Sequence, residues 1–302
     1  RSRAAVLFSL PKLRKIAVLE NPDIVHSWLF HANFACRLAL PRYLPLICSL
    51  RVCEPRKLYL YLDRWTRRRV TKYIANSKEV AELAVNRLKV PRTSCRVIAN
   101  GVDAEVFAKT EFVQSTELAE KICGLTVGRI DPQKGQDILV DALGRIPSHI
   151  PWEWHFVGST ANKAFEKRVR RLAEEKGITD RLYWHGKLSR AEMISFYHRT
   201  NLLAVPSRWE GQPNVILEAM AAKLPVLTNH TDGVDELLET KKDCMMVVSP
   251  AEPECWAEVL IDCRNHPQAL SRQVEAGLEL VKNRTWSDTA KQHLEEYEAV
   301  RR

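Results

Sequence analysis

The sequence predicts an α/β protein of two lobes built on parallel sheets, and three observations predict it. The chain has 302 residues, more than one ordinary domain, so two lobes of roughly 100–200 residues each are expected. Short apolar runs alternate with helical stretches from residue 122 to residue 248, the rhythm of βαβ units and hence of a parallel sheet covered on both faces. Within that rhythm the apolar run 201–205 passes through a short loop into a helix, which Pro213 opens at its first position. There a fixed φ and a missing N–H cost nothing. Ligands of such sheets sit beyond the carboxyl ends of the strands.

Taken in order, residues 11–19 have helical periodicity and 22–26 form a turn entering a buried strand. The opening resembles the middle of a domain, so a segment before residue 1 is expected. A helix runs from 31–33 to Leu40, followed by the apolar run 44–49 and by 56–71, apolar at helical spacing and basic on the other face. Residues 72–76 read as a strand, Ser77 as the cap of a helix over 78–88, and 95–101 as a strand ending in an Asn-Gly turn. The polar, aperiodic segment 102–120 carries the interlobe linker, near 110–118.

In the second lobe strands are expected at 122–127, 154–157, 181–184, 202–205, 225–228 and 245–248, with helices at 134–146, 161–176, 189–199, 213–222 and 233–239 between them. Helices at 252–265 and 267–282 and a last one opened by 285–288 finish the chain. The expected division is 1–114 for an incomplete first lobe, 115–282 for the second, and 283–302 for a C-terminal helix packing back toward the first.

The composition, 45% apolar and 27% charged, is that of a soluble globular protein. No stretch approaches the ~18 uninterrupted apolar residues of a membrane helix, and the N-terminus lacks the apolar core of a signal peptide. Eight cysteines, none in a C-x-x-C pair, read as reduced thiols of a cytoplasmic protein. The charge is uneven: residues 1–118 carry 21 Lys and Arg against 10 Asp and Glu, the remainder 25 against 27. The densest run, 64–72 (RWTRRRVTK), is either a solvated helix face or the contact for an anionic partner, a membrane surface or a phosphate-bearing acceptor. Trp65 among these arginines suits base stacking, but no RNA-recognition motif surrounds it, so no nucleic-acid partner is expected.

Three loops that follow strands have the residue types of a nucleotide-diphosphate site. In 127–135 (VGRIDPQKG), Gly128 lets the backbone approach closely while Arg129 and Lys134 supply two cations. A leaving diphosphate gains negative charge as its bond breaks, so fixed cations favour the transition state over the ground state. In 184–188 (WHGKL) a base can lie against the backbone at Lys187 and Leu188. In 206–220 (PSRWEGQPNVILEAM) the amides of Asn214, Val215 and Ile216 face the loop as an anion site, and Glu210 and Glu218 can hold the hydroxyls of a sugar nucleotide. Gly128, Gly135 and Gly158 do not form a G-x-G-x-x-G fingerprint, which disfavours a dinucleotide enzyme. Nine histidines show no metal-ligand spacing, so no tightly held metal and no cofactor are expected.

These loops, with 75–77 (ANS) and 97–103 (VIANGVD), resemble the group 1 glycosyltransferases, family 4 of the retaining class. The likeness covers nearly the whole chain, and its specific part is the E-x7-E pair Glu210 and Glu218 with the preceding G-R-x-x-x-x-K loop. It implies a GT-B fold, two Rossmann-like lobes with the active site in the cleft between them. It also implies metal-independent transfer of a sugar from a UDP- or GDP-type donor to a glycan, lipid-linked saccharide or small molecule, with retention. By position, Arg129 and Lys134 bind the donor diphosphate, aided by the amides of Asn214 and Val215; Glu210 meets the transferred sugar and Glu218 the ribose. Gly128, Lys187, Leu188, Gly211, Pro213 and Gly233 belong to the donor site on the same grounds.

In 25–31 (VHSWLFH) the family often has a second histidine two places after the first; Trp28 stands there, so His26 or His31 is the reaction-centre candidate. The family's first strand and its Gly-rich loop have no counterpart, which implies a truncated first lobe and a chain that binds nucleotide through the second lobe but turns over poorly. Peripheral attachment to the inner face of a membrane through the basic first lobe is the expected location. The rival readings are another GT-B enzyme, a phosphorylase or an epimerase, and a non-catalytic module that binds a nucleotide sugar.

Overall fold

A computed structural model describes residues 4–52, 56–108 and 115–301. The chain forms two compact units, one of Arg1–Asn100 with Ser287–Arg302 and one of Gly101–Trp286. It crosses between them at 100/101 and again at 286/287; of the segment read as the linker, 110–114 lie outside the described residues.

The first unit runs α1 (Ala4–Glu20), β1 (Val25–Trp28), α2 (Leu29–Ala39), β2 (Leu46–Leu50), α3 (Lys57–Thr66), β3 (Lys72–Ala75), α4 (Lys78–Asn86) and β4 (Cys95–Val97). Its four strands pair in parallel in the order β1-β2-β3-β4. Every residue of β2 is buried, as a central parallel strand with both faces covered requires. Ser77 caps α4 as expected, its hydroxyl accepting from the Val80 amide at 3.2 Å.

The second unit continues with α5 (Ala104–Phe107), α6 (Ser115–Glu120), β5 (Ile122–Val127), α7 (Gln136–Leu143), β6 (Trp152–Val157), α8 (Lys163–Glu175), β7 (Leu182–Trp184), α9 (Arg190–Arg199), β8 (Leu202–Val205), α10 (Asn214–Ala221), β9 (Val226–Asn229), α11 (Asp232–Thr240), β10 (Met246–Val248), α12 (Pro253–Asn265) and α13 (Ala269–Lys282). Its six strands are parallel in the order β10-β9-β8-β5-β6-β7. One apolar cluster gathers around Trp154 and Trp256, another around Tyr197 and Met220. The last helix, α14 (Trp286–Arg301), lies almost wholly in the first unit. There Tyr297 and Val300 pack against Ile47, Ile74 and Ile98 of its sheet and following loop. Among the described residues no helix is long and apolar enough to cross a membrane.

Candidate active site

The strand order of the second unit places its loops. The chain leaves β5 for β6 and β7 on one side, then returns to β8, which pairs with β5 on the other. The loops after β5 and β8 therefore leave the carboxyl edge side by side at a topological switch point, where sheets of this kind open a crevice.

Hydrogen bonds fix the two loops to each other. The Arg208 amide donates to Gln133 O at 2.8 Å, Gln133 Nε2 to Trp209 O at 3.0 Å, and the Arg208 guanidinium to both carboxylate oxygens of Asp137 at 2.9 Å. Gly135 takes φ +65°, and a Cβ there would lie 2.0 Å from Pro206 O. Only glycine permits both the left-handed turn and this approach of the two backbones.

A charge pair sits where the loops meet. Lys134 Nζ is bonded to Glu210 Oε1, and Ser207 Oγ donates to the same oxygen at 2.8 Å. The two side chains are 17% and 10% exposed, so the pair is largely desolvated. Arg129 is exposed, its guanidinium 3.4 Å from Gln133 Oε1. Pro213, expected as the first helical residue of α10, instead precedes it with extended dihedrals of −79° and 106°. Its carbonyl accepts from the Ile216 amide at 3.1 Å, so that amide is used inside the first turn, unlike the expectation that it faces the loop. Asn214 and Val215 open the helix as expected. Gly233, near the start of α11, is pressed against the loop: a Cβ there would lie 1.9 Å from Gly211 O.

At the start of α10, a cavity of about 290 Å³ is lined by Leu188, Asn214 and Glu218 together with Asp103, Arg190 and Trp286. Glu218 accepts from Tyr197 Oη at 2.7 Å, and burial raises its carboxyl above the usual range against the lowering effects of Tyr197 and Arg190. Lys187 is exposed on the same loop as Leu188. Arg190 and Asp103 form an ion pair at the cavity's edge.

In the first unit, His26 lies inside β1 between Ser49 Oγ at 2.8 Å and Tyr297 Oη at 2.7 Å. Its ring stacks on Trp28 with centroids 4.5 Å apart. Burial, His293 and Arg51 lower its pKa to about 4, so it is neutral near pH 7. His31 is exposed in the first turn of α2, its Nε2 3.4 Å from Tyr59 Oη. Between them Leu29 takes φ +69°, a left-handed conformation that costs a branched residue about 1–2 kcal/mol.

A family model described as "Glycosyl transferases group 1" matches residues 108–279, and one described as "Glycosyltransferase Family 4" matches residues 1–106. The chain belongs to the group 1 glycosyltransferases. This glycosyltransferase is 29% identical over 236 residues to the lipopolysaccharide core biosynthesis mannosyltransferase LpsB of Rhizobium meliloti, covering 72% of this chain and 65% of that protein. It is 26% identical over 260 residues to a UDP-Gal:alpha-D-GlcNAc-diphosphoundecaprenol alpha-1,3-galactosyltransferase of Escherichia coli, covering 79% and 66%. Against a D-inositol 3-phosphate glycosyltransferase of Xylanimonas cellulosilytica the match is 28% over 201 residues and spans 47% of that protein. The chain thus spans about half to two thirds of the length of these relatives.

Solved structures place the fold. Anabaena Alr3699/HepE in complex with UDP and glucose superposes with a TM-score of 0.84 at 20% identity, over 96% of this chain and 81% of that one. Sucrose-phosphate synthase from Thermosynechococcus elongatus gives 0.83 at 20% identity, over 99% and 80%. The expected GT-B fold of parallel sheets is thereby found.

The sequence reading missed Asp103, Arg190, Trp286 and Tyr197 around Glu218, because only folding brings them there. It also missed that strand register gathers Cys123, Glu153 and His155, with one ligand atom from each within 4.8 Å of the others. This group lies on β5 and β6 rather than on the loops that follow them. Lys121 Nζ sits 2.7 Å from Glu153 Oε2, and burial with Glu153 nearby pushes the Cys123 thiol up to about 12.

Proposed function

We propose that the chain transfers a sugar from a nucleotide-diphosphate donor to a glycan, a lipid-linked saccharide or a small molecule, with retention of configuration and without a metal. The observation that carries this reading is the Lys134–Glu210 pair at the β5/β8 switch point, in the loop that leads into α10. In this reading Arg129, Lys134 and the Asn214 and Val215 amides hold the diphosphate. Glu210 exchanges its bond to Lys134 for sugar hydroxyls, Glu218 accepts from the ribose, and the base lies along Lys187 and Leu188. Gly128, Gly211 and Gly233 keep the backbone close to the donor.

The bond from the anomeric carbon to the diphosphate oxygen breaks with its electron pair going to the phosphate. That charge meets cations already in place, which is worth most in the transition state. The acceptor oxygen then attacks on the same face and its proton passes to the departing phosphate oxygen. His26 or His31 would serve on the acceptor side; the neutral ring of His26 suits hydrogen bonding rather than charge stabilisation.

A UDP-type donor is supported by the Anabaena protein, which was solved in complex with UDP and glucose. A lipid-linked acceptor is supported by the Escherichia coli relative, a galactosyltransferase named for a diphosphoundecaprenol-linked sugar. Calorimetric titration with a panel of nucleoside diphosphates and their sugars tests the reading. A UDP or GDP compound should bind, and Lys134→Ala should weaken it about tenfold or more, the scale of one charge-assisted hydrogen bond. Absence of binding across the panel would sink the proposal; NMR of the product's anomeric proton decides between retention and inversion.

A further inference from the structure

The strand β6 alternates: Trp152, Trp154 and Phe156 are buried, while Glu153 and His155 between them are half-buried. The second face is covered by α9, where the ring of Phe196 lies 5.4 Å from that of His155 and 4.5 Å from that of His185. Strands of a covered parallel sheet are ordinarily apolar on both faces. Here the register instead sets Cys123 of β5 opposite Glu153, and donor atoms of Cys123, Glu153 and His155 gather within 4.8 Å of one another.

Their spacing is that of ligands around one ion. Cys123 Sγ is 3.3 Å from Glu153 Oε1, and His155 Nε2 is 3.7 Å from the same oxygen. Zinc bonds of about 2.3 Å to sulfur and about 2.0 Å to nitrogen or oxygen set tetrahedral ligand atoms about 3.3–3.6 Å apart. Both pairs therefore stand close to coordinating separation already.

The surroundings hold each donor in place. Asn201 fixes the backbone at Cys123, its Oδ1 accepting from the Cys123 amide at 2.8 Å and its own amide donating to Cys123 O at 2.9 Å. Lys121 engages Glu153 Oε2 at 2.7 Å, so Oε1 remains for the group. His155 Nδ1 lies 3.0 Å from His185 Nε2. With Nδ1–H donating to that ring, Nε2 keeps its lone pair for a metal, as a hydrogen-bonded neighbour does for most histidine ligands. Arg199 adds positive charge nearby, but a thiolate and a carboxylate together balance the two charges of the ion. Thiolate, imidazole and carboxylate form a donor set for zinc, whereas magnesium and calcium take oxygen ligands.

We propose that Cys123, Glu153 and His155 bind a zinc ion between β5 and β6, with water in the fourth position. The thiol proton passes to solvent as the sulfur coordinates. Cys123 precedes Gly128 by five residues, about 16 Å along an extended strand, so the ion sits away from the loops after β5 and β8. The sugar-transfer reading uses none of these three side chains, and the two proposals stand or fall separately.

Titration of the whole chain with cobalt(II), after removal of metal with a chelator, tests it. Cobalt on a thiolate should give a sulfur-to-metal absorption in the near ultraviolet that saturates at one equivalent. Zinc should abolish it and magnesium should not. Cys123→Ser should remove this absorption, and Glu153→Gln should weaken zinc at least tenfold, no less than the loss of a supporting neighbour costs. Circular dichroism checks folding; the half-exposed Glu153 supplies the deciding variant if Cys123→Ser does not fold. Absence of the absorption in the wild type, its persistence in a folded Cys123→Ser, unchanged zinc affinity in Glu153→Gln, or displacement by magnesium would each overturn the proposal.

Discussion

Lys134 and Glu210 are each other's main compensation in a place with little water, and this makes them informative as single residues. Removing one partner of a largely buried pair leaves the other charge stranded, at a cost of about 3 kcal/mol. Lys134→Ala should therefore lower stability as well as nucleotide affinity, while the double change Lys134→Met with Glu210→Gln should recover much of the stability and none of the affinity. Urea midpoints at unchanged slope, measured beside nucleotide titrations, separate the two effects.

His26 makes a prediction of the same kind for pH. Its folded pKa of about 4 lies below its ordinary 6.5, so between those values the unfolded chain binds more protons than the native one. The contribution of the neutral ring is complete above pH 6.5 and is lost as pH falls toward 4. His26→Asn should flatten the decline of stability across that window, measured by urea unfolding at several pH values. A decline as steep as in the wild type would show that His26 is not its source.

At the scale of elements, two glycines of similar conformation separate turn strain from loop contact. Gly135 has φ +65° and Gly177 has φ +67°, but a Cβ at Gly177 meets nothing within 4 Å while one at Gly135 strikes Pro206 O. Gly177→Ala should cost about 1 kcal/mol, the left-handed penalty alone. Gly135→Ala should cost more and should also weaken nucleotide binding, because the loops after β5 and β8 can no longer meet. Equal losses in thermal midpoint for the two variants would contradict this account.

The same region shows what the sequence makes legible. The strands Ile122–Val127 and Leu202–Val205 fall on the residues read for them, since continuous apolar runs need burial on both faces. The helix read at 134–146 is α7, Gln136–Leu143. Pro132–Lys134 makes a separate turn capped by Asp131, and Gly135 then breaks the helical path. Arg129, Lys134 and Glu210 can be grouped from the sequence because each follows a strand, and the structure brings Lys134 and Glu210 into contact. The bond of Lys134 to Glu210, and those of Tyr197 to Glu218 and of Arg190 to Asp103, depend on strand order and helix packing between distant segments, which no local pattern encodes.

For the whole molecule, the connectivity itself carries a prediction. The first unit is discontinuous: α14 returns to it after the chain has completed the second. There Tyr297 bonds to His26, Thr289 Oγ1 donates to Ala99 O at 3.0 Å, and Glu296 lies 3.1 Å from Lys72 Nζ. Tyr297 and Val300 also cover Ile47, Ile74 and Ile98. The loops proposed to hold the donor, by contrast, all belong to Gly101–Trp286.

Ending the chain at Trp286 should thus unfold or loosen the first unit while leaving nucleotide affinity in place. Calorimetry should then show a bound nucleotide raising one transition, by the equivalent of about 2.7 kcal/mol at a ligand concentration 100 times Kd. In the full chain the same ligand should raise the transition of the second unit, and Lys134→Ala should abolish that rise. If the truncated chain loses nucleotide binding together with its first-unit transition, the donor site depends on the first unit. The assignment of that site to the loops of the second unit alone then fails.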